Sequence, residues 1–183
     1  MRGFEGDSAR VYFSGLRALI RPEQRGVFAC GQRSRRPPRD AFNTLMSFLY
    51  TLLMHDCQSA LEGVGLDPQL GFLHAVRPGR PGLALDLMEE FRSVIADRLA
   101  LTLINRNQLT TKHFEPRIGG TVYLTNDGRK TVLAAYQQRK QEEITHPLFA
   151  QAVPVGLLPH VQARLLARVL RGDMESYVPF LSR

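Results

Sequence analysis

The chain has 183 residues, and an excess of lysine and arginine (24) over aspartate and glutamate (17) gives it a net charge of +7. This length supports one domain, or one large and one small subdomain, with a substantial hydrophobic core. The charge favours an acidic partner, with nucleic acid ahead of a membrane or an acidic protein. Two cysteines without CxxC spacing argue against a disulfide scaffold and a zinc–thiolate site, and no apolar run is long enough to span a bilayer.

The first residues show no signal-peptide pattern, so we expect a cytoplasmic protein. Asp7 or Ser8 is a suitable N-cap for a helix whose apolar residues, from Ala9 to Ile20, recur at helical spacing. Glu5 lies just before this helix or in its first turn. The local pattern alone favours a simple interpretation of Glu5 as an acid that stabilises the positive end of a helix dipole.

Residues 21–39 are rich in arginine, glycine and proline. We interpret them as a surface loop, because the pair Pro37 and Pro38 breaks both helices and strand ladders. Two interpretations of its charge stay open: contact with nucleic-acid phosphates, or a solvated basic loop. The arginines concerned are Arg33, Arg35, Arg36 and Arg39.

Asp40 predicts the start of a long helix from residue 41 to about residue 61, and glycines at 63 and 65 predict its end. Its apolar residues cover more than one face, which indicates a buried helix. His55 and Asp56 are neighbours in the sequence, but adjacent helical positions point about 100° apart, so we interpret them as ordinary polar residues. The other polar positions are Asn43, Ser47 and Tyr50.

The stretch from residue 71 to residue 92 has the residue types of a metal and phosphate site. His74 is followed by a basic Gly/Pro loop, and then by a predicted helix over residues 83–104 that opens with Asp86, Glu89 and Glu90. Carboxylates and imidazole are ligands for divalent metals, and arginines suit a phosphate. The alternative is a solvated acidic stripe on an amphipathic helix. Against it, the loop could fold His74 back over the first turn of this helix.

The remaining residues predict one hairpin and one or two helices. Residues 119–132 alternate around Asn126-Asp127-Gly128 and predict a β-hairpin, although residues 130–143 also have the composition of a helix. We interpret His146 as a residue that helps to end a helix, in preference to a metal ligand. A last helix is predicted over about residues 159–170, before an anchoring tail at residues 177–181. The predicted fold class is mainly α, with one small β-hairpin.

Four sequence motifs occur in the order that one known family uses. They are Phe4-Glu5-Gly6 before Ala9-Arg10-Val11-Tyr12-Phe13; Arg36-Pro37-Pro38 with Asp40, Asn43, Ser47 and Tyr50; Gly71-Phe72-Leu73-His74; and the run from Leu83 to Arg92. Together they resemble the CRISPR-associated endonuclease that integrates new spacers, over nearly the whole chain. Residues 120–129 and 136–147 resemble its type I-C branch.

The resemblance implies a helical catalytic domain with a divalent-metal site. Glu5, His74 and one acid of the pair Asp86 and Glu89 would bind Mg²⁺ or Mn²⁺, with Glu89 favoured. The reaction implied is the joining of DNA 3′-hydroxyl ends into a CRISPR repeat by transesterification. Tyr50 and Asn43 would position the substrate. The implied DNA-binding residues are Arg33, Arg35, Arg36, Arg39, Arg77, Arg80 and Arg92.

The resemblance also implies partners. Family members normally carry an N-terminal β-rich dimerisation domain, and we expect residues 1–183 to correspond to the catalytic domain without it. The full-length protein would act with double-stranded DNA, a homodimer partner and the small ferredoxin-like CRISPR adaptation subunit. Two alternatives stay open: a non-catalytic basic helical module that binds nucleic acid, and a structural domain that packs against another domain.

Overall fold

Most of the chain is helical in the computed structural model, which describes residues 2–28, 33–34 and 36–181, with side chains from Asp7 onward. The helices are α1 (Arg2–Ala18), α2 (Ala41–Gly63), α3 (Gly82–Glu89), α4 (Arg98–Asn105), α5 (Asn126–Gln141) and α6 (Leu158–Leu170). The described residues contain two antiparallel two-stranded sheets: β1 (Phe114–Arg117) with β2 (Thr121–Leu124), and β3 (Glu143–Thr145) with β4 (Ala152–Pro154). The predicted mainly α fold is therefore confirmed. None of the described helices is both long and apolar enough to cross a membrane.

The chain forms two compact units: residues 1–49 with 97–135, and residues 50–96 with 136–183. Helix α2 contributes to both cores. Its apolar side chains recur at helical spacing on more than one face, and each buried leucine, phenylalanine or methionine contributes about 1.5–3 kcal/mol to stability. The fully buried ones are Phe42, Leu45, Met46, Leu49, Leu53, Cys57 and Leu61. The prediction of a buried α2 is confirmed.

Both ends of α2 follow from local sequence signals. Oδ1 of Asp40 accepts the backbone N–H of Asn43 at 2.7 Å, as an N-cap does. At the other end, Gly65 has φ +81°, its N–H donates to the carbonyl of Glu62, and the N–H of Leu66 donates to the carbonyl of Leu61. This pair of bonds is a Schellman motif, in which glycine is favoured because the left-handed conformation strains other residues.

The prediction that Asp7 or Ser8 caps α1 is wrong. The helix begins at Arg2, so both residues lie inside it and Glu5 belongs to its first turn. Asp7 instead pairs with Arg10 one turn further on, at 3.4 Å on the surface. An acid such as Asp7 can stabilise a helix interior through an i,i+3 pair, or a helix start as an N-cap. The sequence alone does not show which of these two roles it has.

The helix predicted over residues 83–104 is interrupted. Between α3 and α4 the backbone widens into a π-helical turn, Arg92–Asp97. Four consecutive residues here, Val94 to Asp97, are buried. Because successive residues of a helix point about 100° apart, four consecutive buried residues mean that this segment is covered on nearly all sides. The π-helical turn therefore lies where the chain is buried on more than one face.

The hairpin forms earlier in the chain than predicted. The turn between β1 and β2 uses Gly119 (φ +91°) and Gly120 (φ +74°), while Asn126 begins α5. The hydroxyl of Thr125 accepts the N–H of Gly128 at 3.1 Å and caps this helix. Asn126-Asp127-Gly128 therefore opens a helix instead of turning a hairpin, which agrees with the helical alternative for residues 130–143.

His146 does not end a helix, because α5 stops at Gln141. It is 1% exposed, lies between β3 and β4, and its ring packs against Phe149 (4.8 Å between centroids) and Phe180 (5.5 Å). Its Nε2 lies 3.2 Å from the side-chain oxygen of Gln162. The interpretation of His146 as a helix terminator is wrong: it is a buried residue in the connection between two strands that the sequence pattern did not predict.

Replacing Gly128 with alanine should destabilise the fold. A Cβ there would lie 2.5 Å from the carbonyl oxygen of His113, so the backbone must shift. We expect a loss of about 1–3 kcal/mol in the free energy of unfolding, measured by urea titration with circular dichroism. The matched control, Gly15→Ala in α1, meets nothing within 4 Å and should gain about 0.5–1 kcal/mol. Equal stability of the two variants would contradict the packing of α5 on His113.

Candidate active site

The loop between α2 and α3 folds back onto α3. The carbonyl oxygen of Pro68 accepts the backbone N–H groups of Leu83 (2.8 Å) and Ala84 (3.2 Å), which satisfies donors that the start of a helix leaves free. Gly71 and Gly82 meet where the loop crosses the helix, and a Cβ on Gly71 would lie 2.7 Å from the carbonyl carbon of Gly82. These two glycines therefore permit the close approach of the two backbone segments.

Asp86, on α3, holds the next three loop residues. Its carboxylate accepts the N–H groups of Phe72 (2.6 Å), Leu73 (2.9 Å) and His74 (3.0 Å). It also lies 2.6 Å from Nδ1 of the His74 ring. Burial acts to raise the pKa of Asp86, but these hydrogen bonds, led by that from Leu73, outweigh it and hold the pKa below its usual value. A carboxylate offers about four acceptor positions, and four donors lie around this one.

His74 is oriented by this contact. Because Asp86 is an ionised acceptor, the proton of a neutral His74 ring lies on Nδ1, and Nε2 keeps its lone pair. The side chain of His74 is 21% exposed and that of Asp86 only 9%. The expectation that the loop folds His74 back over α3 is confirmed. A histidine whose second nitrogen is held by a carboxylate has the arrangement found in metal sites.

Glu89 faces a different environment one helical turn from Asp86. Nη1 of Arg92 donates to both of its carboxylate oxygens, at 2.7 and 2.6 Å, and the Glu89 side chain is 43% exposed. The Arg92 guanidinium also lies over the ring of Tyr50, 4.4 Å from its centroid. Burial acts to lower the pKa of Arg92, but Tyr50 and Glu89 outweigh it and hold the pKa above its usual value. Arg92 is therefore charged at every physiological pH.

Glu90 turns toward the interior, a role that the sequence pattern did not reveal. Its carboxylate accepts hydrogen bonds from the hydroxyl of Tyr177 (2.5 Å), the side-chain amide of Gln162 (2.9 Å) and the N–H of Phe180 (2.6 Å). Burial and the nearby charge of Glu90 raise the pKa of Tyr177, which stays a donor. The predicted anchoring of the tail is confirmed, and its anchor is the residue next to Glu89.

The alternative of a solvated acidic stripe, formed by Asp86, Glu90, Ser93 and Asp97, is wrong for its three acids. Asp86 and Glu90 are shielded and fully engaged in hydrogen bonds, as described above. Asp97 is 1% exposed and accepts a hydrogen bond from the hydroxyl of Tyr12. Periodicity places these acids on one face of a helix, but it does not show what covers that face.

The predicted metal ligands are only partly described. The backbone of Glu5 lies in α1, and its side chain lies outside the described residues. The structure brings His74 and Asp86 into direct contact and places Glu89 on the same helix. Among the described side chains, no three His, Cys, Asp or Glu residues form a cluster that could hold a metal ion. The joint role of Glu5, His74 and Glu89 stays a prediction.

Arg33 and Asn43, predicted for DNA contact and substrate positioning, bond to each other. Nη1 of Arg33 donates to Oδ1 of Asn43 at 2.9 Å and to the hydroxyl of Ser47 at 3.3 Å, and its guanidinium lies 5.4 Å from the ring centroid of Phe13. Asn43 is 0% exposed. Both side chains thus help to hold the basic loop against α2, and their predicted functional roles stay predictions.

The other arginines of the predicted DNA surface differ in exposure. Arg77 and Arg80 flank a turn in which Pro78 and Gly79 (φ +70°) occupy the central positions, with the N–H of Arg80 donating to the carbonyl of Arg77 at 3.1 Å. Arg80 is half-buried. Arg35 lies outside the described residues. The exposed members are Arg36, Arg39 and Arg77.

Solved structures share this fold over nearly the whole chain. A CAS1 protein from Thermotoga maritima aligns with a TM-score of 0.81 and 31% identity, over 99% of this chain and 53% of its own. A partial Cas6-RT-Cas1–Cas2 complex aligns with a TM-score of 0.80 and 26% identity, over 98% and 52%. A casposase bound to its integration product reaches a TM-score of 0.86 at 23% identity, over 99% and 53%, and shows the fold alone. The fold class is therefore that of CAS1 and casposase structures.

The sequence comparison is more specific. The family described as CRISPR associated protein Cas1 matches residues 1–138, and the chain belongs to that family. The CRISPR-associated endonuclease Cas1 1 of Moorella thermoacetica is 57% identical over 183 residues, which are 100% of this chain and 53% of that protein. The chain thus spans about half the length of this curated relative. The resemblance seen in the sequence is confirmed at the level of the family, and assignment to the type I-C branch stays a prediction.

Asp86→Ala should destabilise the chain more than Glu89→Ala. The first variant leaves three N–H groups and the His74 ring without their acceptor, at a cost of about 2–4 kcal/mol in the free energy of unfolding. The second removes a half-exposed ion pair worth about 1 kcal/mol or less. Because the folded pKa of Asp86 is lowered, its contribution is complete at neutral pH and is lost only as the pH falls below about 4. Urea unfolding at two pH values measures both effects, and equal losses at neutral pH would contradict the role of Asp86.

Proposed function

We propose that this chain contributes the active site of a divalent-metal-dependent DNA endonuclease and integrase that joins 3′-hydroxyl ends of spacer DNA into a CRISPR repeat. The observation that carries the proposal is the His74–Asp86 pair, which fixes the imidazole of a loop residue against α3, the helix that also bears Glu89, and leaves Nε2 as an acceptor. Membership of the Cas1 family and the name endonuclease given to the Moorella relative support it.

The residues that would hold Mg²⁺ or Mn²⁺ are Glu5, His74 and Glu89. Of the two acids left open by the sequence, Glu89 is the better ligand, because the acceptor positions of Asp86 are taken by the loop and by His74. Asp86 then acts through His74, by keeping the proton on Nδ1. A nitrogen ligand among carboxylates suits Mn²⁺ at least as well as Mg²⁺.

An ion held there would polarise the scissile phosphate and stabilise the leaving oxygen. The chain itself supplies orientation. Asp86 fixes the ring plane of His74, and Arg92 holds both carboxylate oxygens of Glu89 in one direction. Arg92 is engaged in that ion pair, so its predicted contact with a DNA phosphate requires the pair to open. Tyr50, stacked under Arg92, limits where the guanidinium can move.

DNA would be held mainly through its backbone. Arg36, Arg39 and Arg77 are exposed and Arg80 is half-buried, and contacts from such side chains give affinity with little sequence selection and a steep salt dependence. The homodimer partner and the small ferredoxin-like adaptation subunit are proposed for the full-length protein. The similarity to a Cas1 chain solved in a complex with Cas2 supports the second of these.

One observation favours a second candidate, the non-catalytic nucleic-acid-binding module. Glu89 is already neutralised by Arg92 at 2.6 Å, as an acid without a metal partner would be. The two candidates differ in one respect, because only the enzyme requires Glu5, His74 and Glu89 for a reaction.

Alanine at Glu5, His74 or Glu89 should abolish Mn²⁺-supported cleavage and strand transfer while DNA binding is retained, because each removes a proposed ligand. Asp86→Asn should weaken Mn²⁺ binding about 10–100-fold through the orientation of His74. The control, Glu175→Gln, alters an exposed acid and should leave both unchanged. Gel assays measure the reaction, and calorimetric Mn²⁺ titration measures binding without turnover. If the His74→Ala variant binds Mn²⁺ with the same heat as the wild-type protein, the metal site is refuted. If all three alanine variants cleave DNA as well as the wild type, the non-catalytic binding module is favoured.

A further inference from the structure

A basic groove lies in the second unit, between the C-terminal end of α2 and one face of α6. Its volume is about 360 Å³, and its wall includes Gly63 and Val64 from the end of α2. The basic side chains that line it all belong to α6 or follow it directly: His160, Arg164, Arg168 and Arg171. Among the residues that the structure describes, none in the groove wall is acidic. We name this feature the α6 groove.

The pattern of α6 explains why these side chains form a row. Positions 160, 164 and 168 lie four apart, so their side chains emerge about 6 Å from one another along the helix axis, and position 171 continues the row. The opposite face of α6 is buried through Leu158, Ala163 and Leu165. The three arginines are exposed and His160 is half-buried.

Stability of the helix does not account for this row. Positive charges near a helix C-terminus interact favourably with its dipole, but only within the last turn, which leaves Arg164 and His160 unexplained. Like charges four apart destabilise a helix by about 0.2–0.5 kcal/mol for each pair. Within the described part of the chain, the side chains of Arg164 and Arg168 form no ion pair or hydrogen bond. Arg171 pairs with Asp173 at 3.1 Å in a surface contact of little strength.

The floor of the α6 groove permits close approach. Gly63 has no side chain, and even an added Cβ there would stay 3.9 Å from the His160 ring. The neighbouring groove, which includes Glu62 and Asp67 in its wall, is acidic in character, so the basic row does not simply reflect the average charge of this surface. An extended polyanion can lie along a row of guanidinium groups above an open floor, because each group presents paired donors to phosphate oxygens.

We propose that the α6 groove binds the sugar–phosphate backbone of DNA, as a contact surface additional to the arginines of the loops. This proposal rests on the proposed function only because it takes DNA as the ligand. It requires neither a bound metal nor a reaction at His74. The contacts are to phosphates, so the groove contributes affinity and direction to the DNA path without selecting a sequence.

The test compares three double variants by fluorescence anisotropy with a short labelled duplex of mixed sequence, in EDTA so that no metal-dependent reaction proceeds. Arg164→Gln/Arg168→Gln should reduce the slope of log affinity against log salt by about 1.8, or about 0.9 for each lost phosphate contact. The ratio of wild-type to variant affinity for the duplex should therefore increase about tenfold as the salt concentration falls from about 200 to about 50 mM. Arg164→Lys/Arg168→Lys should keep most of the slope. The control, Arg98→Gln/Arg106→Gln, removes the same net charge from exposed positions on and directly after α4.

An unchanged slope in the α6 variant, or an equal decrease in the control, would overturn the proposal, because the effect would then be absent or due to net charge alone. Should the double variant unfold, the single variant Arg164→Gln should lose about half as much slope. The outcome is independent of catalysis. If the protein cleaves DNA but the salt dependence of the α6 variant is unchanged, only the proposed DNA binding by the α6 groove is overturned. If the protein does not cleave DNA but the α6 variant loses salt dependence, DNA binding by the groove is supported and the proposed reaction fails.

Discussion

The carboxylate of Asp86 determines the local geometry of the candidate site. Three consecutive backbone N–H groups and the His74 ring converge on it from a loop that has no regular secondary structure. Hydrogen bonds to a charged acceptor are about twice as strong as those between neutral groups, and each donor would cost about 1–3 kcal/mol if it were buried without a partner. The path of the loop, its register on α3 and the direction of the imidazole all follow from this contact.

The three acids on α3 and at its C-terminal cap have different tasks within five residues. Asp86 and Glu90 are four positions apart and share a face, but a rise of about 6 Å separates them, so one meets the loop and the other meets the tail. Glu89 points about 100° away from Glu90, toward solvent and Arg92. The same residue type thus serves as a loop anchor, a proposed metal ligand and an internal acceptor, depending on what the rest of the chain brings to each side.

Local sequence signals were sufficient for the parts of the fold that local interactions decide. Both ends of α2 were predictable, since Asp40 and Gly65 cap the helix through atoms a few residues away. The hairpin was misplaced because Asn-Asp-Gly suits a tight turn and a helix start equally, and the contact of Gly128 with His113 decides between them. Asp86 and Glu89 could not be ranked from their spacing, because the donors that occupy Asp86 come from a loop twelve or more residues earlier. Glu90 gave no signal, since its partners lie more than seventy residues away.

The hydrogen bonds that reach Glu90 have a consequence for biogenesis. Until residues 162–180 have left the ribosome and packed, this acid has none of its three donors, and α3 lacks the contact that holds its C-terminal end. The contact that fixes the turn bearing Glu89 therefore forms only after residues 162–180 have been synthesised. Chains stopped before residue 162 are expected to lack the contact that anchors Glu90, the residue next to the proposed ligand Glu89.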